Sequence, residues 1–189
     1  MQHLVFVVHK HDATSLHFDF RLQVGDVMPS WAIPKGPTLD PTQKRLAMET
    51  TDHSLDYRHF EGVLPEGSYG AGPVMIWDEG YYSPEIETSK GVREEIKDFD
   101  EGQKVMKEGM KKGEIKFRLY GKRLQGSFTL VKTRGFARLD SAKQVESKAW
   151  LLIKHNDEFV KKGFDAKDKK YDTSVVSGKT IEEIEKREA

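Results

Sequence analysis

Apolar and polar residues alternate strictly between residues 16 and 23. Leu16, Phe18, Phe20 and Leu22 fall on one side, and His17, Asp19, Arg21 and Gln23 on the other. A period of two predicts a β-strand with one buried face. Shorter apolar or alternating runs recur at Leu4–Val8, Trp31–Ile33, Val74–Trp77, Lys116–Tyr120, Ser127–Lys132 and Trp150–Lys154, and Leu46 and Met48 alternate with Arg45 and Glu49. Glycine and proline mark the gaps, as in Pro34-Lys-Gly-Pro37, Pro65-Glu-Gly67 and Gly70-Ala-Gly-Pro73. Eight or so short strands with turn signals between them predict a mainly β fold, an antiparallel barrel or sandwich. Helical signals are sparser. Asp100 with Gln103 reads as a capping pair opening a helix to Lys112 that stops at Gly113. Thr180 with Glu183 opens a second, with Ile181 and Ile184 on one side. Both are expected at the periphery. Residues 163–170 read as a solvated loop.

At 189 residues the chain fits one domain. The expected division is a barrel over residues 1–160 and a tail over 161–189, whose short helix packs on or flanks the barrel. Ten Phe, six Tyr and three Trp exclude a disordered chain. Trp31, Trp77 and Trp150 are expected in the core or barrel wall. The absence of cysteine excludes disulfide scaffolds, thiolate zinc sites and cysteine nucleophiles. No apolar run is long enough to span a membrane, and the first residues lack the basic flank of a signal peptide, so a cytoplasmic protein is expected. The 31 basic and 31 acidic residues cancel overall, but they are sorted along the chain. Residues 78–101 carry nine acids and three bases, and residues 104–138 eleven bases and two acids. The basic block reads either as a phosphate-backbone footprint or as a solvated face.

The polar side of the alternating strand carries the sharpest chemistry. His17 and Asp19 can converge on one cation, and His11, just upstream, can supply a third ligand. Two imidazoles and a carboxylate suit Mn²⁺, Fe²⁺ or Zn²⁺ and leave positions open. The plainer explanation is an edge strand with a wet polar face. A second cluster, Lys35, Arg45, His53, Tyr57 and Arg58, offers a phosphate cations, donors and a proton-transfer group. Ordinary surface charge explains each of these residues singly. Gly67-Ser-Tyr-Gly-Ala-Gly72 precedes a strand, not a helix, so it reads as a strand-joining turn and not a nucleotide cradle. His3, His9, His59 and His155 have no patterned partners. His9 shares a face with His11 by spacing, yet it reads as solvated or structural.

The run His11-Asp-Ala-Thr-Ser-Leu-His17-Phe-Asp19-Phe-Arg21-Leu resembles the signature of the 3'-phosphoesterase domain of bacterial DNA ligase D. The resemblance continues through Ser30-Trp-Ala-Ile-Pro-Lys35-Gly-Pro, Lys44-Arg45-Leu-Ala, Asp52-His53-Ser-Leu-Asp-Tyr57, Phe60-Glu-Gly and Pro65-Glu-Gly-Ser-Tyr-Gly-Ala-Gly. It ends with Lys116-Phe-Arg-Leu and Trp150-Leu-Leu-Ile-Lys, covering most of residues 4–155. It implies a compact antiparallel barrel with a metal-containing groove. It also implies a Mn²⁺-dependent enzyme, with Zn²⁺ or Co²⁺ as possible substitutes, that heals DNA 3' ends. Such an enzyme removes terminal ribonucleosides and 3'-phosphates to leave 3'-OH ends for non-homologous end joining. The implied metal ligands are His11, His17 and Asp19. Arg21, Lys35, Arg45, His53 and Tyr57 are the implied phosphate-binding and catalytic residues. The implied partners are a DNA or RNA-ended primer–template and a separate ligase, polymerase or Ku-like end-binding protein. The expected form is a nucleoid-associated monomer without membrane contact. Gln23 stands where the family often has Glu, and Thr51 near a position where an acid is common. No Lys-x-Asp-Gly adenylation motif is present, so ligation is not encoded in this sequence. Two other classes stay open from the residues alone. One is an iron oxygenase built on His17-x-Asp19 and His53, and the other a non-catalytic nucleic-acid-binding barrel.

Overall fold

The computed structural model describes residues 1–133 and 147–187. It contains ten strands: β1 (Leu4–Asp12), β2 (Leu16–Leu22), β3 (Val27–Ile33), β4 (Arg45–Ser54), β5 (Gly62–Leu64), β6 (Gly72–Ser89), β7 (Val92–Glu95), β8 (Glu114–Gly121), β9 (Gln125–Lys132) and β10 (Ala149–Lys154). Eight of them run in the order β1-β2-β3-β4-β10-β9-β8-β6, and β6 pairs back onto β1. All pairings are antiparallel, so the expected barrel is present and closed. Closure removes the free edges that an open sheet would expose. The 18-residue β6 makes it possible. One stretch pairs with β1 and β5, the next with β1 and β8, and its far end with β7.

The alternation in β2 works as its sequence implies. Phe18, Phe20 and Leu22 are fully buried among Phe6, Trp31, Trp77, Phe117, Phe128 and Trp150. Phe20 lies 6.3 Å from Phe6 and 5.9 Å from Phe117, ring centre to ring centre. In β4 the phase is the reverse of what hydrophobicity suggests. Ala47 is buried, while Leu46 and Met48 face outward. Ala47 leaves room beneath Trp150, its partner across the ladder, and the indole donates instead to Glu49 Oε2 at 2.8 Å.

Two helices lie outside the barrel, as expected. α1 (Phe99–Lys112) is capped by Asp98, two residues before the expected Asp100; the Asp98 carboxylate accepts from Glu101 N at 2.8 Å. Gln103 does no capping. Its Oε1 accepts from Gly25 N at 2.6 Å and ties α1 to the β2–β3 turn. Gly113 ends the helix with φ 79°, a left-handed conformation that glycine adopts without strain. α2 (Ile181–Lys186) has the full capping box of Thr180 and Glu183. No helix among the described residues is long and apolar enough to cross a membrane.

Residues 163–170 are not a solvated loop. Phe164 and Ala166 are buried, and Phe164 packs beside Tyr171 and Trp77. The charged residues between them face solvent and mask the two inward-facing positions. The basic block is divided between α1, where Lys104, Lys107, Lys111 and Lys112 are exposed, and the strands that follow. Lys116 pairs with Glu87 and Glu114, Arg118 with Glu158, and Arg123 packs over Trp77 and Tyr171. Its last two bases, Arg134 and Arg138, lie outside the described residues.

Lys154 is 2% exposed; its Nζ lies 2.6 Å from Asp157 Oδ1 and 2.9 Å from His155 O. Asp157 Oδ2 also accepts from Ser127 N. Asp157→Ala would strand a buried ammonium and is expected to cost about 3–5 kcal/mol in urea unfolding. A loss below about 1 kcal/mol, the range of exposed ion pairs, would contradict this.

Candidate functional site

Antiparallel pairing of β1 with β2 sets His9 opposite Asp19 and His11 opposite His17. Residues directly opposite in such a ladder share a face. The outer face of this hairpin therefore gathers His9, His11, His17, Asp19 and Arg21, while Val8, Phe18 and Phe20 fill the core behind it.

One ligand atom each from His11, His17 and Asp19 lies within 4.8 Å of the other two. Asp19 Oδ2 is 3.6 Å from His11 Nδ1 and 3.3 Å from His17 Nε2. The far nitrogen of each ring meets a backbone carbonyl. His11 Nε2 is 2.6 Å from Gly70 O, and His17 Nδ1 is 2.9 Å from Ser15 O. A carbonyl only accepts, so each far nitrogen carries a proton; each near nitrogen is left to face Asp19 Oδ2, donating to it when the ring is protonated and presenting a lone pair when the ring is neutral. That is the outer support expected of imidazoles that ligate a cation. The three residues could hold one divalent metal. The Asp19 carboxyl is buried, which works against its charge. Hydrogen bonds from His11 and His17 and the Arg21 charge outweigh burial and hold its pKa well below the carboxylate range. Its hydrogen bond in turn raises the pKa of His17 above the ordinary 6.5.

Arg21 is 3% exposed and uses all three nitrogens. Nε donates to His9 Nδ1 at 3.1 Å, Nη2 to Asp19 Oδ2 at 3.3 Å, and Nη1 lies 3.1 Å from His53 Nδ1. A guanidinium has five N–H donors, so one on each Nη remains for an anion. The Tyr57 ring lies 5.1 Å from the guanidinium carbon and stacks on Phe60. His53 comes from the end of β4 and Tyr57 from the 3-10 helix Leu55–His59 that follows. His53 Nδ1 is also 3.0 Å from Thr51 O. Burial and the Arg21 charge lower the His53 pKa, and burial raises that of Tyr57.

The structure thus brings together six of the residues singled out from sequence: His11, His17, Asp19, Arg21, His53 and Tyr57 all line one groove of about 470 Å³. Lys35 and Arg45 do not line it. Lys35 is exposed in the β3–β4 turn beside Pro34, which does. Arg45 donates to Gly36 O and Gln43 Oε1. Arg58 donates to Leu55 O and faces a different hollow, beside Tyr81 and Lys122. Gln23 faces away from the groove chemistry. Its amide accepts from Val5 N and donates to Gly25 O, a pair of bonds that an ionised Glu could not make.

His9 is the residue that sequence reasoning missed. It is fully buried, and burial together with Arg21 lowers its pKa to about 3. The neutral ring accepts from Arg21 through Nδ1 and stands edge-on to Tyr57 at 5.3 Å. Its spacing from His11 was the available signal. Its partner, Arg21, lies across a strand pair whose register no local pattern reveals.

A family model described as the DNA Ligase D 3'-phosphoesterase domain matches residues 9–132. The multifunctional non-homologous end joining protein LigD of Pseudomonas aeruginosa is 40% identical over 156 residues, which are 82% of this chain and 15% of that protein. The multifunctional non-homologous end joining DNA repair protein LigD of Mycobacterium tuberculosis H37Rv is 38% identical over 130 residues, 69% of this chain and 15% of that protein. The Mycolicibacterium smegmatis LigD is 38% identical over 131 residues, 69% of this chain and 16% of that protein. The chain spans about 15% of the length of these relatives. On both counts, the chain belongs to the DNA ligase D 3'-phosphoesterase domain family.

Proposed function

We propose that this chain is a Mn²⁺-dependent phosphoesterase that heals DNA 3' ends for non-homologous end joining, with Zn²⁺ or Co²⁺ as substitutes. It would hydrolyse 3'-phosphates and remove 3'-terminal ribonucleosides, leaving 3'-OH ends. The carrying observation is the His11–His17–Asp19 cluster, with both imidazoles fixed in the ligating tautomer, directly beside the spare N–H groups of Arg21. The end-joining relatives support the setting.

In this reading a bound cation supplies charge withdrawal from phosphorus. Arg21 holds two phosphoryl oxygens through its remaining N–H groups, where charge changes most in the transition state. His53 Nδ1 either accepts from Arg21 Nη1 or donates to Thr51 O, according to its tautomer, and in both cases Nε2 is left to exchange a proton with the ester or water oxygen. Tyr57 flanks the guanidinium and offers a phenol donor. His9 keeps Arg21 in place as a neutral acceptor and moves no proton. Lys35, next to the groove residue Pro34, would meet DNA at the groove's edge, and Arg45 would hold the turn at Gly36.

Two other readings fare worse. An iron oxygenase needs His53 on the same cation as His17 and Asp19, but the Arg21 guanidinium stands between His53 and Asp19. A binding-only barrel would use the basic block, but its strand part is committed elsewhere: Lys116 pairs with Glu87 and Glu114, Arg118 with Glu158, and Arg123 packs over Trp77 and Tyr171.

The proposal predicts that purified protein with Mn²⁺ releases phosphate from a 3'-phosphate primer–template. Chelation is expected to abolish release, and His17→Ala to slow it about 100-fold or more. No release by the wild type, or full release by His17→Ala, would refute it. Acid should weaken metal binding. Asp19 raises the His17 pKa, so a proton competes with the cation already above pH 6.5. Apparent Mn²⁺ affinity is expected to fall roughly tenfold per unit as pH drops below that pKa. A pH-independent affinity between pH 8 and 6 would contradict this assignment.

A further inference from the structure

The same groove has a part that phosphate chemistry does not use. Beyond the cluster and Arg21 its lining includes Ala13, Leu16, Ala32, Pro34, Leu64 and Tyr69. Tyr69 is fully exposed. The other exposed tyrosine, Tyr81, is stacked between His3 and Tyr120. Tyr69 has no ring, cation or hydrogen-bond partner among the described residues, so none of them accounts for an aromatic at this place.

The loop that carries Tyr69 is nevertheless held in position. The next residue, Gly70, accepts from His11 Nε2 at 2.6 Å through its carbonyl. Gly70 has φ 80° and Gly72 φ 131°, and a Cβ on Gly72 would lie 2.2 Å from Asp12 O. Backbone of the β1–β2 turn and a cation-cluster imidazole therefore fix where the Tyr69 Cα stands. An unpartnered aromatic on a fixed backbone, beside an apolar wall and next to an anion site, matches a ligand with a flat π-face attached to a phosphate. Base–aromatic stacking tolerates any base, because every base has such a face.

We propose that Tyr69 and the apolar wall form a nucleoside subsite, in which the tyrosine ring stacks on the base of the 3'-terminal nucleotide whose phosphate lies at Arg21 and the His11–His17–Asp19 cluster. The assignment rests on the phosphoesterase reading and names what that site grips besides phosphate. The occupant is one nucleoside. The groove volume lies within the ~300–1,000 Å³ typical of small-ligand sites, and its polar half supplies the matching charge for the attached phosphate.

The test compares two 3'-phosphate primer–templates, one ending in a normal nucleotide and one in an abasic unit, with wild type, Tyr69→Ala and Tyr69→Trp. Mn²⁺ binding is measured for each protein. Tyr69→Ala is expected to lower kcat/KM on the normal end by roughly 5- to 150-fold more than on the abasic end. Tyr69→Trp is expected to restore the normal end, and all three proteins are expected to bind Mn²⁺ alike. Equal losses on both ends, no loss on either, or weakened Mn²⁺ binding by Tyr69→Ala would overturn the subsite while leaving the phosphoesterase reading intact. No phosphate release by the wild type from either end would overturn both.

Discussion

A guanidinium largely shut away from water needs a countercharge and acceptors close by, and Arg21 imposes that demand on the outer face of the β1–β2 hairpin. One carboxylate, Asp19, supplies the countercharge. His9 accepts from Nε and His53 stands beside Nη1, and burial with the adjacent positive charge favours the neutral form of both rings. Asp19 is shared. Its Oδ2 faces Arg21 Nη2, His11 Nδ1 and His17 Nε2 together. Without a cation, a proton on His17 compensates part of that carboxylate's charge. The raised His17 pKa and the fit for a divalent metal thus have one cause, an anionic oxygen facing two lone pairs.

The strand alternation of residues 16–23 was legible because both of its consequences are local. The side chains divide between core and outer face, and His17, Asp19 and Arg21 emerge on one side. His11 was legible through spacing and through the family resemblance. What escaped was set by pairing across strands or by packing at a distance. His9 becomes a site residue only because the register puts it beside Asp19 and within reach of Arg21. Phe164 and Ala166 read as solvated because charged neighbours outnumber them, yet they supply the packing of that segment. In β4, Ala47 takes the inward place against Trp150 and turns the larger Leu46 and Met48 outward. Hydrophobicity alone chooses the opposite phase.

Part of the charge sorting along the chain serves barrel assembly. The acidic stretch and the basic block meet where β6 and β7 lie beside β8, with Glu87 on Lys116 and the Tyr120 hydroxyl on Glu95. In the proposed function, attraction for a phosphate is concentrated in one small groove, where buried Arg21 has N–H groups left over, and a terminal phosphate would be selected by fit more than by the long-range field of the protein.

The most direct measurement is anomalous diffraction at the manganese edge from crystals of the protein grown with Mn²⁺. The account predicts one strong peak per chain, bounded by His11 Nδ1, His17 Nε2 and the Asp19 carboxylate, with the far ring nitrogens still on Gly70 O and Ser15 O. A peak elsewhere, or none at this cluster when the site is saturated by Mn²⁺ in solution, would contradict it.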